Sequence, residues 1–308
     1  MMKYISKRLL MLIPVLLAVI FLVFSILNLV PGDTAQLLLG ITASAEDIEQ
    51  LNHELGLDKP FFVRFFDYIF NLIQGDLGSS YKTNIPVWDE IVARFPVTLK
   101  LSVLAISITV FIGIPVGMIS AVRQYSFMDH ICVVSTLTLC SIPSFWLGLM
   151  LVLLLSVKFG LLPAMGIGSL QHYVLPSITA SSVTLGTVIR MTRSSMLETL
   201  RQDYMVTARA KGCSENSAIF NHALRNAMLP IVTTIGVNLG ILLGGTFVIE
   251  TVFTMPGLGA YIVDAIKMRD MPAVMGGIIV LATVFCLINL IVDLFYALID
   301  PRVLESYK

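Results

Sequence analysis

The chain has 308 residues, 56% of them hydrophobic and 13% charged, with a mean hydropathy of +0.88, which excludes a soluble domain of this size. Its 20 Lys and Arg balance 20 Asp and Glu, so the charge gives no sign of a nucleic-acid partner. The four cysteines form no CxxC or Cys/His cluster. Cys132, Cys140 and Cys286 lie in apolar runs and read as buried small hydrophobes, and Cys213 sits in a polar stretch.

A bilayer crossing takes about 20 predominantly apolar residues. Six segments qualify, 9–30, 97–122, 131–156, 174–192, 229–252 and 273–297, and predict an all-α membrane protein with six transmembrane helices. Lys3, Lys7 and Arg8 precede the first. Its apolar run is too long for a signal peptide, and no small-residue cleavage site follows before Pro31-Gly32-Asp33, so 1–30 reads as a tail and a retained signal anchor. Residues 31–96 form an outer segment with two helices. Ala45–Leu55 is capped by Ser44 and ended by Gly56. Pro60–Ile73 is expected to carry Phe62, Phe65, Phe66, Ile69 and Ile73 near one face. The segment is expected to lie on the outer membrane surface, with no fold of its own.

Residues 97–308 form the remaining transmembrane core. In the third span, Pro143 of Ser141-Ile-Pro143-Ser144 lacks an N–H and predicts a kink. The outer loop 157–173 follows. The fourth span carries Ser177, Thr179, Ser181, Ser182, Thr184 and Thr187, a polar load that needs water or another helix. Gly236, Gly240 and Gly244 stack on one face of the fifth, for tight packing within this chain or against a second subunit. After a second outer loop, 253–272, Asn289 and Asp293 sit four apart on the sixth span and face protein, either as a structural hydrogen bond or in transport.

Between spans four and five the chain turns basic. Arg190, Arg193, Arg201, Arg209, Lys211 and Arg225 are six of its twenty Lys and Arg. Leu197, Leu200, Tyr204 and Ala208 give one apolar face to a helix that Gly212 ends. Ser214 begins the next, in which Ile219/Phe220, Ala223/Leu224 and Ala227/Met228 recur, before Leu229-Pro230 opens the fifth span. Residues 193–228 are thus a helical hairpin. Periodicity alone leaves it facing either anionic lipid or a protein. With the N-terminus inside, Lys3, Lys7, Arg8, Arg123, the six hairpin charges, Arg302 and Lys308 are cytoplasmic, twelve of the twenty. Residues 31–96, with ten Asp and Glu against four Lys and Arg, are outside. Six spans return the C-terminus to the cytoplasm.

Asp203-Tyr-Met-Val-Thr-Ala-Arg-Ala-Lys-Gly212, followed by His222-Ala-Leu-Arg-Asn-Ala-Met-Leu-Pro230, closely resembles the cytoplasmic signature of binding-protein-dependent ABC importer permeases. The likeness is strongest to the dipeptide/oligopeptide/nickel branch, and to the first, B-type permease of its pair. Leu55-Gly-Leu-Asp-Lys-Pro60, Asp76-Leu-Gly78 and Arg94-Phe-Pro-Val-Thr-Leu99 resemble that branch's outer region, and Ser141-Ile-Pro-Ser-Phe-Trp-Leu-Gly148 its third span. Glu250-Thr-Val-Phe253 with Pro256-Gly-Leu-Gly259 resembles its last outer loop, and Val292-Asp-Leu294 with Ile299-Asp-Pro-Arg302 its C-terminus. The superfamily's Glu-Ala-Ala is replaced by Val206, Thr207 and Ala208 and its Leu-Pro displaced to 229–230, as is usual in the peptide branch.

The resemblance implies a type I ABC importer permease fold in a prokaryotic cell membrane, both termini cytoplasmic. It implies four kinds of partner: a homologous second permease, two ATP-binding subunits that hold ATP and Mg, an external substrate-binding protein, and lipid. The hairpin becomes the element that couples to the ATPase. Gly212 is its corner, Ala208 and Ala210 allow close approach, and Arg209, Lys211 and Arg225 pair with the partner. His222 either braces the hairpin or touches the partner. This chain binds no cofactor or metal, has no catalytic residue and, lacking GxxxxGK[ST], hydrolyses no ATP. The implied cargo is a di- or oligopeptide, the alternatives being glutathione or nickel and metal chelates. Ser177, Ser181 and Thr184 are the candidate pathway residues. The reading from a different class, an ion-coupled secondary transporter, calls for ionisable groups at mid-membrane, whereas Lys100, Arg190, Glu250 and Asp293 sit toward span ends.

Overall fold

The computed structural model describes residues 2–29, 32, 34–40 and 42–299. The side chains of 2–9, 293 and 296–299 are outside the description. The expectations for the side chains of Lys3, Lys7, Arg8 and Asp293, and for Arg302 and Lys308 altogether, therefore fall outside the description. Among those described, helices account for all regular structure apart from a single antiparallel bridge, Ser79 to Pro86. The chain divides into two compact units, Met1–Thr98 with Pro256–Cys286, and Leu99–Met255 with Leu287–Lys308.

The first unit holds α1 (Met2–Leu29), α2 (Thr34–Leu39), α3 (Ala45–Glu54) and α4 (Phe61–Ile73), with the start of α5 (Val87–Val122). Ser44 caps α3, its hydroxyl accepting from the Asp47 N–H at 3.1 Å, and Gly56 follows at φ +65°. On α4 the inward face differs from expectation. Phe61, Phe65, Tyr68, Ile69 and Leu72 pack on Ile20 and Phe24 of α1, with Phe24 edge-on to Phe61 and Phe65 at 5.2 and 5.4 Å between centroids. Phe62, Phe66 and Ile73 point away and stay exposed. The helix is apolar on two sides, and only one meets protein.

Among the described residues, those of 32–96 form no core of their own. Leu77, Val87 and Ile91 are buried with Leu258, Tyr261, Ile262, Ala273 and Val274. Three of these belong to α13 (Leu258–Met268), a helix inside what the sequence presents as the outer loop 253–272, and two to α14 (Met271–Ile299). Asp270 precedes α14 and clamps the 80–82 turn, accepting from the Ser80 hydroxyl at 2.5 Å and the Lys82 N–H at 3.4 Å.

The second unit contains the rest of α5, then α6 (Phe127–Ser141) and α7 (Ser144–Leu151), which a π segment, Val152–Lys158, extends. The predicted kink is a full break. Ile142 and Pro143 are extended and the two halves meet at 98°, because Pro143 supplies no N–H and disfavours helix in the residue before it. Next come α8 (Gln171–Leu200), α9 (Asp203–Ala210), α10 (Glu215–Ser217) with a π segment Ala218–Leu224, α11 (Arg225–Gly245) and α12 (Phe247–Val252). Among the described residues, five helices are long and apolar enough to cross a membrane, or six when the bent α6–α7 pair counts as one span.

Small residues set the close approaches. A Cβ on Gly236 would collide with Val292, and one on Gly186 with Cys140. Gly236 and Gly240 are buried while Gly244 is exposed and open. The glycine face of α11 thus packs within the chain at one end and is free at the other. All four cysteines are free thiols, but only Cys286 is buried, and Cys140 is exposed.

Candidate functional site

The basic hairpin is built from the end of α8 onward. α8 runs past the predicted span to Leu200, then Arg201 and Gln202 break it before α9. That interruption resets the helical phase, so Met205 is fully buried and Tyr204 is 39% exposed, the reverse of a continuous helix. Met205 joins Met196, Ala218, Ile219, Ala223 and Ala227 in one apolar cluster, with Leu197 and Leu200 against it.

Gly212 makes the corner at φ +81°, a left-handed conformation that suits glycine. Its N–H donates to the Arg209 carbonyl at 3.0 Å and the Cys213 N–H to Ala208 at 3.2 Å, closing the end of α9. Ser214 sits at the next helix's cap position without a side-chain capping bond. Across the corner Arg209 makes two bonds to the Glu215 carboxylate, 3.1 and 2.8 Å. Its guanidinium therefore has a partner in this chain already, though both side chains are largely exposed. Ala210, Lys211, His222 and Arg225 are exposed and Ala208 half-buried. The second arm runs without a break from Glu215 to Gly245. Pro230 lies inside α11 and does not open a separate span.

The polar load of α8 turns inward. Ser177, Ser181 and Thr184 are all buried within this single chain. The Thr184 hydroxyl bonds Thr109 of α5 at 2.7 Å, Thr187 donates to Asn238 of α11 at 3.2 Å, and Ser181 donates back to the Ile178 carbonyl. The Thr184 and Thr187 bonds choose another helix over water, while Ser181 turns back on its own helix. Ser177 differs, as its buried hydroxyl has no hydrogen-bond partner among the described residues.

One polar constellation has no counterpart in the sequence reading. Arg193 on α8 holds Asp129, in the first turn of α6, through Nε and Nη2, both at 2.9 Å. Its sequence signal is local: Ser126 and Asp129 have capping-box spacing, and the Ser126 hydroxyl accepts from the Asp129 N–H at 3.2 Å. Beside the pair a cleft of about 740 Å³ is lined by Arg190, Arg201, Glu198, Gln202 and Gln124.

Residues 113–305 match the binding-protein-dependent transport system inner membrane component, and residues 1–102 match its N-terminal companion. The chain belongs to that family. Among its relatives are two permease proteins of Escherichia coli strain K12. The dipeptide transport system permease protein DppB is 41% identical over 98% of this chain and 99% of its own. The glutathione transport system permease protein GsiC is 44% identical with the same coverage. A crystal structure of an amino acid ABC transporter with histidines shares the fold at a TM-score of 0.51 and 15% identity, covering 70% of this chain and 94% of its own. The chain is therefore an all-α, multi-pass inner-membrane subunit of an ABC importer, with a type I permease fold.

Proposed function

We propose that this chain is one of two membrane subunits of a prokaryotic importer for di- or oligopeptides, driven by two separate ATP-binding subunits and fed by an external binding protein. Its 193–228 hairpin faces the cytoplasm, as do both termini, and seats in a groove of an ATPase. The observation that carries this reading is the corner at Gly212, an exposed left-handed turn with Ala210, Lys211 and Arg225 open around it. A small, cationic, well-braced knob fits an acidic groove. ATP-driven closure of the partner then shifts two membrane arrangements that need differ by only a few kcal/mol. The partners hold ATP and Mg, and this chain supplies no group to hydrolysis.

Peptide cargo is the first reading because the hairpin and outer segment follow the peptide branch. Glutathione is the second, since the glutathione permease is as fully covered as the dipeptide permease. The complex, purified with its ATPases and binding protein, is expected to accelerate ATP hydrolysis when the binding protein is loaded with dipeptides. Acceleration by glutathione or a nickel chelate alone would reassign the cargo, and failure to co-purify with an ATPase would remove the coupling role.

Ser177, Ser181 and Thr184 remain the proposed path. In the single subunit they are closed by neighbouring helices, so the path opens only when those helices part, and Ser177, with its unpartnered hydroxyl, is the residue ready to meet solvent. A Ser177→Cys protein whose four native cysteines are replaced by alanine is expected to resist a water-soluble thiol reagent at rest and to react during turnover. Equal protection in both conditions would take Ser177 off the path.

A further inference from the structure

The turn joining α5 to α6 is short and strained, with Tyr125 at φ +63°. Asp129 holds it through every carboxylate lone pair the geometry offers. Oδ1 accepts from Ser120 of α5 and from Arg193 Nε, and Oδ2 accepts from the Tyr125 N–H at 3.0 Å and from Arg193 Nη2. The Asp129 side chain is 5% exposed and that of Arg193 26%. A second tie lies farther along the stem, where Arg201 donates to Gln124 at 3.3 Å. Next to these, Ala121 of α5 and Met196 of α8 share the apolar cluster with Met205 of the hairpin.

We propose that Asp129 and Arg193 are positioning residues for energy coupling. Their ion pair locks the α5–α6 turn and the start of α6 to the stem of the hairpin, so that motion received at the hairpin reaches α6 and its break at Ile142–Pro143. The proposal rests on the coupling reading above.

The physics favours a lock over a hinge. Apolar surfaces can slide past one another with little change in buried area, but this pair cannot part without leaving a charge buried and unmatched. Its two parallel bonds also fix the angle between guanidinium and carboxylate. The Arg209–Glu215 pair has the same two-point geometry, yet at 41% and 60% exposure water replaces either partner readily. Of the two, only the Asp129 pair has the burial to transmit force.

The test uses the whole importer in liposomes, with Asp129→Asn, Arg193→Gln and Arg193→Lys beside Gly212→Trp. In the Asn and Gln variants, uptake and binding-protein-stimulated ATP hydrolysis are expected to fall about tenfold, with unstimulated hydrolysis unchanged. Arg193→Lys should lie between, since it keeps the charge and loses the second bond. Wild-type stimulation in assembled Asn and Gln variants, with Gly212→Trp uncoupled, overturns the lock and leaves the hairpin reading standing. Normal coupling in Gly212→Trp as well overturns both. Loss of unstimulated and stimulated hydrolysis together makes the pair merely structural and also overturns the lock.

Should the Asn and Gln variants fail to assemble, spin labels at Phe127 and Glu198, both exposed, report on the intact pair. Their separation is expected to stay constant between nucleotide-free and ATP-trapped states. A change of about one helical turn, ~5 Å, would show the two elements moving independently and end the proposal.

Discussion

Gly212→Trp is expected to insert normally while uptake and stimulated ATP hydrolysis fall about tenfold or more. Two effects act at this corner, and they separate. The first is backbone strain. At φ +81° any side chain costs about 1–2 kcal/mol, confined to a turn whose closing bonds come from backbone groups. The second is bulk. A Cβ at Gly212 meets nothing within 4 Å, so the bulk of an indole leaves the corner into open space, on the side where the proposed partner would seat. Gly212→Ala carries the strain with almost no bulk and is expected to lower uptake only a few-fold, by the same coupling arithmetic. Equal losses in the two variants would assign the effect to strain. Normal uptake by an assembled Trp variant would remove the corner from the mechanism. Amounts of inserted protein, read by immunoblot, distinguish either result from poor folding.

What the sequence made legible here was local chemistry. Ser44 and Gly56 delimit α3 because a hydroxyl cap and a left-handed stop act on adjacent residues. Pro143 breaks the third span and Gly212 turns the hairpin for the same reason. What escaped depends on the phase of a helix or on residues far apart. A two-residue interruption at Arg201–Gln202 exchanges Tyr204 for Met205 on the buried face, and no periodicity carried across it could show that. On α4, both faces are apolar, so periodicity finds the helix without telling protein from lipid. α13 repeats Leu258, Tyr261, Ile262 and Ala265 on its buried side, a signal present but too short to stand out between two long spans. The Asp129–Arg193 pair joins residues 64 apart in sequence. Only the packing of α6 on α8 puts them together.

The second large effect concerns the glycines that packing requires. Gly117→Leu is expected to reduce inserted, assembled protein to a trace, whereas Gly244→Leu should leave the chain's own stability near wild type. At Gly117 on α5, an added Cβ would lie 2.6 Å from the Thr192 Cβ and 2.7 Å from the Ile189 carbonyl oxygen, both on α8. A flexible side-chain tip could give way, but a backbone carbonyl and a β-branched Cβ cannot, so the helices must separate. Even Gly117→Ala should destabilise by about 1–3 kcal/mol, measured as a lower thermal or SDS unfolding midpoint. Gly244 meets no atom within 4 Å, and Ala there exchanges a poor helix former for a good one at no steric cost within the chain. Its Leu variant therefore asks a different question. If the free end of the α11 glycine face meets the second permease subunit, Gly244→Leu will lower recovery of the paired permease while the single chain unfolds at its usual midpoint. If recovery of the pair is unchanged, that end faces lipid, and the glycine face of α11 serves this chain alone.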